Sequence, residues 1–211
     1  NDSEDGRADF TVGAASNADV ANYNIDATFG DVKITGIDAN ARIGLNFESD
    51  ITVGDLTFDV DSDPTDSDGA IIGITRNVDS TITVASVDID STGYADFSIS
   101  DNDETSVVVT GDVDIDATNE ATLIVSNNTS FRQGMSDDSP DMLISLGNAS
   151  DEGVEISVLS TGKDALVSVE NNSIEGYSDS SSDMMISLGD VEVIASVSDA
   201  VFQIDGNFVS L

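Results

Sequence analysis

Apolar and polar residues alternate with a period of two along most of the chain, in short runs bounded by Gly, Asn and Asp. One run recurs in a fixed form: Ala, an apolar residue two places on, Ile, Val or Leu two further, and Asn three after that. It reads Ala70-Ile72-Ile74-Asn77, Ala95-Phe97-Ile99-Asn102, Ala121-Leu123-Val125-Asn128, Ala165-Val167-Val169-Asn172 and Ala200-Phe202-Ile204-Asn207. Two looser copies precede these, Ala41-Ile43-Leu45-Glu48 and Ala21-Tyr23-Ile25-Thr28. Ahead of each Ala run lies an apolar-polar-apolar triplet, starting at residues 10, 32, 56, 87, 113, 154 and 191. After it comes a third run, as in Ile51-Thr52-Val53, Ile82-Thr83-Val84, Val107-Val108-Val109, Met142 to Leu146 and Met184 to Leu188. Strict alternation in β-branched residues between turn formers predicts half-buried strands, and no stretch carries the 3.6-residue period of a helix.

Self-similarity at a period of some 20–50 residues marks a stacked-repeat architecture. One coil of three short strands has no partner for its apolar positions, whereas coils stacked about 4.8 Å apart pair each strand with those above and below. The chain therefore predicts an all-β fold, a parallel β-solenoid of about seven coils with three short strands each. Residues 1–9 form a polar segment and 10–211 a single solenoid domain, with inserted loops at 61–68, 130–140 and 173–183. The last two insertions look like copies, which predicts that they lie side by side on one edge of the stack. The inward columns read Ile34-Phe58-Ile89-Ile115-Ile156-Val193 and Ile72-Phe97-Leu123-Val167-Phe202, and the Ala column suits a tight corner.

The column Asn77, Asn102, Asn128, Asn172, Asn207 resembles the asparagine ladder of right-handed parallel β-helix proteins. At the level of architecture the chain is similar to the extracellular fibre and adhesin proteins with that fold. The resemblance implies a right-handed coil and inward amides bonded to one another and to the turn backbone. The competing reading is that Asn merely favours a left-handed bend.

Composition narrows the function. There are 42 acidic residues, 6 basic residues and no His, a formal charge of −36. Such a surface repels nucleic acid and anionic membranes, and no run is long enough to span a bilayer. Without Cys or His, disulfides, thiolate metal sites, nucleophilic triads and an imidazole base all drop out. A carboxylate pair acting on polysaccharide is the remaining catalytic option, but the six basic residues are scattered and Trp is absent, so no enzyme is expected. The Ser, Thr, Asp and Asn-rich composition points to an extracellular or cell-surface setting.

Two constellations remain. Outward positions of the triplets place Asp88, Asp90, Asp114 and Asp116 in a square of about 4.8 by 6.6 Å on one face. Like charges stacked directly opposite are destabilising unless neutralised, and hard oxygen donors at that density suit Ca²⁺. Asp59, Asp61, Asp63, Asp66 and Asp68, ending at Gly69, form an alternating acidic loop of similar character, lacking the distal Glu of an EF-hand. A solvated acidic face is the alternative for both. The second constellation is the two ends. Coil one offers Phe10, Val12, Tyr23 and Ile25, and coil seven offers Phe202, Ile204, Val209 and Leu211. Unpaired strand edges associate, and a heterologous contact that does not close gives a filament. The sequence thus predicts a structural subunit of an extracellular filament or matrix, a head-to-tail homopolymer. A surface-binding adhesin module is the runner-up, and a polysaccharide-acting β-helix enzyme comes third.

Overall fold

The computed structural model describes residues 7–13, 22–62, 69–132, 142–147, 155–176 and 184–210. The strands fall into layers that follow the repeats. Layer one holds β1 (Arg7–Gly13), β2 (Asn22–Tyr23), β3 (Asp26–Phe29) and β4 (Val32–Gly36). Layer two is β5 (Asp38–Gly44), β6 (Asn46–Phe47) and β7 (Asp50–Val60), and layer three is β8 (Gly69–Thr75) and β9 (Thr81–Ser91). Layer four comprises β10 (Tyr94–Ser100), β11 (Ser106–Val109) and β12 (Val113–Ala117). Layer five comprises β13 (Ala121–Ser126), β14 (Thr129–Arg132), β15 (Met142–Leu146) and β16 (Glu155–Ser160). Layer six has β17 (Ala165–Glu170), β18 (Ser173–Gly176), β19 (Met184–Leu188) and β20 (Asp190–Ala195), and layer seven has β21 (Ala200–Asp205) and β22 (Phe208–Ser210).

Every pairing between layers is parallel, so the chain is a parallel β-solenoid. One face is a seven-stranded sheet in the order β1-β5-β8-β10-β13-β17-β21. A second sheet has ten strands and carries both the third runs and the triplets. In layer two the third run and the following triplet merge into one strand, so that Gly54 and Asp55 lie inside β7. Gly is required at 54, because a Cβ there would sit 2.8 Å from the Asp31 nitrogen and 2.9 Å from the Gly30 carbonyl carbon in the layer beneath. The third face is short. It runs Tyr23, Phe47, Val78, Asp103, Thr129, Ser173, Phe208 as β2-β6, three single bridges and β14-β18-β22.

The column Ile72-Phe97-Leu123-Val167-Phe202 stands in register as expected. Several other expectations are corrected, each by two residues or by one face. Phe10-Thr11-Val12 belongs to β1, in the sheet of the Ala strands, not to the triplet column. Ala39, not Ala41, stacks on Ala70, which makes Asn46, not Glu48, the partner of Asn77. Tyr23 lies on the short third face. Val158, not Ile156, follows Ile115, and Ile156 follows Val113 instead. Residues 129–132 and 173–176, placed largely within inserted loops, are the paired strands β14 and β18.

The asparagine ladder is present and longer than the sequence suggested. Side-chain amides link Asn22, Asn46, Asn77, Asn102, Asn128, Asn172 and Asn207, each Nδ2 donating to the next Oδ1 at 2.9–3.0 Å. From Asn77 onward the other Nδ2 hydrogen reaches back to a main-chain carbonyl one layer earlier, as from Asn102 to Ile74 at 3.0 Å. The left-handed bend is not made by these residues. From Asn46 onward it falls on the residue before each: Leu45, Arg76, Asp101, Asn127, Asn171 and Gly206 all have positive φ. At 206 glycine is also sterically required, since a Cβ would meet Asn171 Oδ1 at 2.6 Å. A second left-handed column, Glu48, Asp79 and Glu104, precedes the buried hydroxyls Ser49, Ser80 and Thr105.

Candidate functional site

The acidic square lies on the outer face of the triplet strands. Asp88 stands beside Asp114 and Asp90 beside Asp116 in the parallel register of β9 and β12. Asp59 on β7 extends the second row. The first row continues to Thr57 and Lys33 on one side and to Ser157, not Glu155, on the other. The second runs from Thr35 to Leu159. The rows, with two carboxylates in the first and three in the second, are thus flanked by hydroxyls, a lysine and an apolar residue. Partial burial pushes the Asp88 and Asp116 carboxyls above the ordinary aspartate value, and the neighbouring Asp114 and Asp90 carboxylates push them further. Lys33 offsets part of this at Asp88, and the net upward shift is what like charge on a half-solvated sheet produces.

Among the described residues, no group of three or more acidic side chains is arranged to hold a metal ion. Asp61 is separate from the square. It is exposed and accepts a hydrogen bond from Thr92 Oγ1 at 3.3 Å. Asp63, Asp66 and Asp68 lie outside the described residues. Asp96, which the sequence reading passed over, sits on the outer face of β10, where burial pushes its carboxyl up although Thr122 Oγ1 donates to it at 2.7 Å.

The two ends of the stack differ. At the first layer Phe10 is half-buried and packs edge-on against Phe29, with ring centroids 5.9 Å apart, and Val12 is only 5% exposed. Tyr23 is 64% exposed, and its hydroxyl donates to Glu48 Oε1 at 3.0 Å. That bond to an acceptor carboxylate raises the phenol above its ordinary value. Ile25 is more than a third exposed. At the last layer the core columns end open: Phe202 is 49% exposed and Ile204 65%. Phe208 joins them at 59%, a member of this patch that the sequence reading missed. The dipeptide pattern Asn22-Tyr23, Asn46-Phe47, Asn207-Phe208 is the signal that marks both it and the two extra ladder rungs. Val209 pairs with Ile174 through its backbone, and Leu211 lies outside the described residues.

An open cavity of about 260 Å³ lies at this end, lined by Asn172, Ile174, Met184, Ile186, Asn207 and Phe208. It is the corner of the core where β19 has no strand above it among the described residues. No family model, curated protein or solved structure matches the chain.

Proposed function

We propose that the chain is a structural subunit of an extracellular filament or surface matrix, in which solenoid ends stack head to tail. The observation that carries this reading is the open last layer, where Phe202 and Ile204 expose apolar surface in the same columns that are fully buried three layers earlier, at Phe97 and Ile99, with Phe208 exposed beside them. Stacking another layer there extends parallel pairing and buries that surface, the two interactions that already hold each layer to the next. The role is architectural and not catalytic. A charge of −36 per subunit opposes association, so assembly is promoted by salt, and calcium acts as counter-ion to the Asp88, Asp90, Asp114, Asp116 face. The extracellular assignment rests on the acidic, Ser-, Thr-, Asp- and Asn-rich composition with very little Lys.

Electron microscopy of the purified chain over a range of concentrations, in NaCl and in CaCl2, tests the proposal. Filaments with an axial repeat of about 34 Å, seven layers of 4.8 Å, are expected. A chain that stays monodisperse at high concentration and high salt would sink it and leave a monomeric surface-binding module.

A further inference from the structure

The amide ladder has a direction, and the direction makes the two ends of the stack chemically different. From Asn77 onward the Oδ1 of each Asn accepts from the Asn of the preceding layer, both from its Nδ2 and from its main-chain nitrogen, while Asn46 Oδ1 accepts from Asn22 Nδ2 alone. Asn102 Oδ1, for example, takes Asn77 Nδ2 at 2.9 Å and Asn77 N at 3.1 Å. Donors thus point toward the C-terminal layer and acceptors toward the N-terminal one. At the last rung Asn207 Oδ1 is used by Asn172, and one Nδ2 hydrogen by the Val169 carbonyl. Its main-chain N–H and its second Nδ2 hydrogen meet no acceptor among the described residues. At the first rung Asn22 Nδ2 donates to Asn46, while Asn22 Oδ1 receives no donor from a described residue. One end presents two donors, the other presents the acceptor they match.

We infer that the filament junction is one more rung of this ladder, with Asn207 donating to Asn22 Oδ1 of a second copy. The inference rests on the filament reading and adds to it a partner, a polarity and a register. The Ala column, which runs Ala8, Ala39, Ala70, Ala95, Ala121, Ala165, Ala200 without a break, fixes that register. Ala8 of the incoming copy stacks on Ala200, Phe10 on Phe202, Thr11 on Gln203 and Val12 on Ile204. On the short face Tyr23 stacks on Phe208, continuing the column that those residues begin and end.

The reverse arrangements fail chemically. Two N-terminal ends would oppose Asn22 Oδ1 to Asn22 Oδ1, and two C-terminal ends would set donors against donors. An unmatched amide at the core of a junction costs as much as a lost hydrogen bond. Because Val12 is already buried, the first layer contributes new apolar burial mainly through Phe10, Tyr23 and Ile25. The junction also pairs on two faces only. Among the described residues β21 and β22 reach the seventh level and no strand stacks on β19 or β20, which leaves one strand height at the cavity beside Met184 and Ile186. A junction closed on two faces of three is weaker than an interior layer contact, so filaments part at junctions on dilution before the coils unfold.

Cysteine cross-linking tests the register, since the chain has no native Cys and both Thr11 and Gln203 are exposed. Adjacent Cα atoms on parallel strands lie about 4.8 Å apart, within the range a disulfide spans. Oxidised under assembly conditions, the Thr11→Cys, Gln203→Cys double variant should give reducible ladders well beyond dimer on a non-reducing gel. Each single variant should give no ladder, and an equimolar mixture of the two should stop at dimers. Dimers from Thr11→Cys alone, or uncross-linked double variant in preparations where microscopy shows filaments, would overturn the inference. Those outcomes leave the filament reading standing, whereas monodisperse wild-type protein removes that reading itself.

A second pair of variants probes the rung directly. Asn207→Asp keeps the Oδ1 that Asn172 uses but loses the Nδ2 donor, and should raise the minimum concentration for filaments at least tenfold with an unchanged circular dichroism spectrum. Gln203→Glu adds the same charge to the same layer away from the ladder, and should raise it less than twofold. Equal effects from the two would reduce the rung to electrostatics and overturn it.

Discussion

Two columns of short polar side chains run along this solenoid at the same spacing, and they behave in opposite ways. The inner one stacks Asn on Asn, and its central members, Asn46, Asn77, Asn102, Asn128 and Asn172, are almost wholly buried. The outer one stacks Asp88 on Asp114 and Asp90 on Asp116, beside solvent. An amide is both donor and acceptor, so a translational repeat satisfies every copy at once. A carboxylate is acceptor only, so where partial burial already raises Asp88 and Asp116 the same repeat brings like charges together and raises them further. Parallel stacking is therefore neither favourable nor unfavourable for polar side chains as such. It amplifies whatever one residue does to its own image.

The strongest way to break the contrast is to move the outer chemistry inside. Asn102→Asp leaves the two donors of Asn77 satisfied but turns a carboxylate toward the Ile74 carbonyl and Asn128 Oδ1, both acceptors that Asn102 Nδ2 now serves. A buried charge without a cation, facing two acceptors that each lose an amide donor, costs on the order of 5 kcal/mol at neutral pH. In thermal unfolding that is a fall of about 10–20 °C for a chain of this size. Protonation restores one donor, so part of the loss should return on acidification. An unchanged melting temperature would mean that the ladder contributes nothing to stability.

Next in size is an apolar column beside the ladder. Phe97 is fully buried between Ile72 and Leu123. Phe97→Ala should cost about 3–5 kcal/mol, through lost transfer energy and the cavity left behind. A loss clearly smaller than that for Asn102→Asp would show that the polar stack, not the apolar one, is the less forgiving of substitution. Wild-type stability would show that the layer relaxes around the gap.

Both columns were legible in the sequence because alternation with period two says which side of a strand a residue faces. It does not say which layer-mate it meets, since a slip of two residues preserves every inward and outward assignment while changing the partner. Each register error has that form: Ala41 for Ala39, Glu48 for Asn46, Ile156 for Val158. Where the local sequence has one Ala and one Asn at the right separation, as in layers three to seven, the register of the Ala strand was unambiguous. Layer two offers Ala39 and Ala41 together, and layer one inserts residues 14–21 between strand and rung, so the ladder's first two members were hidden. The acidic square escaped this error because Asp88-Ile89-Asp90 and Asp114-Ile115-Asp116 are aligned by identical flanking Val residues.

A smaller effect moves inner chemistry outward. Asp114→Asn places an amide between Asp88 and Ser157 and removes the carboxylate that pushes up both Asp88 and Asp116. Relief of directly opposed like charges should stabilise by about 0.5 kcal/mol, in the range of cross-strand pair energies on an exposed face. The pH dependence follows from the direction of the shifts. A carboxyl whose folded value lies above its unfolded 3.8 binds more protons when folded. Its contribution is fully present below 3.8 and is lost as pH rises through the folded value. Urea midpoints should therefore increase for the wild type as pH is lowered from neutral toward 4, and increase less for Asp114→Asn. A steeper rise in the variant would contradict the assignment of these two groups.

The smallest expected effect separates coordination from screening on that same face. Sodium chloride weakens repulsion among all exposed carboxylates, over a Debye length of about 8 Å at 0.15 M. Calcium adds bonding only if carboxylates swing together onto it, and Asp88, Asp90, Asp114 and Asp116 occupy adjoining positions of two strands without being preset to hold it. Millimolar CaCl2 should raise the melting temperature by a degree or two more than NaCl of matched ionic strength, and the excess should vanish in Asp114→Asn, Asp116→Asn. The double variant keeps Asp88, Asp90 and the rest of the acidic surface, so general screening survives in it. Equal stabilisation by the two salts in the wild type would remove calcium from the face. The outer column would then be what its geometry alone supplies: repulsion held in check by water and by the columns packed behind it.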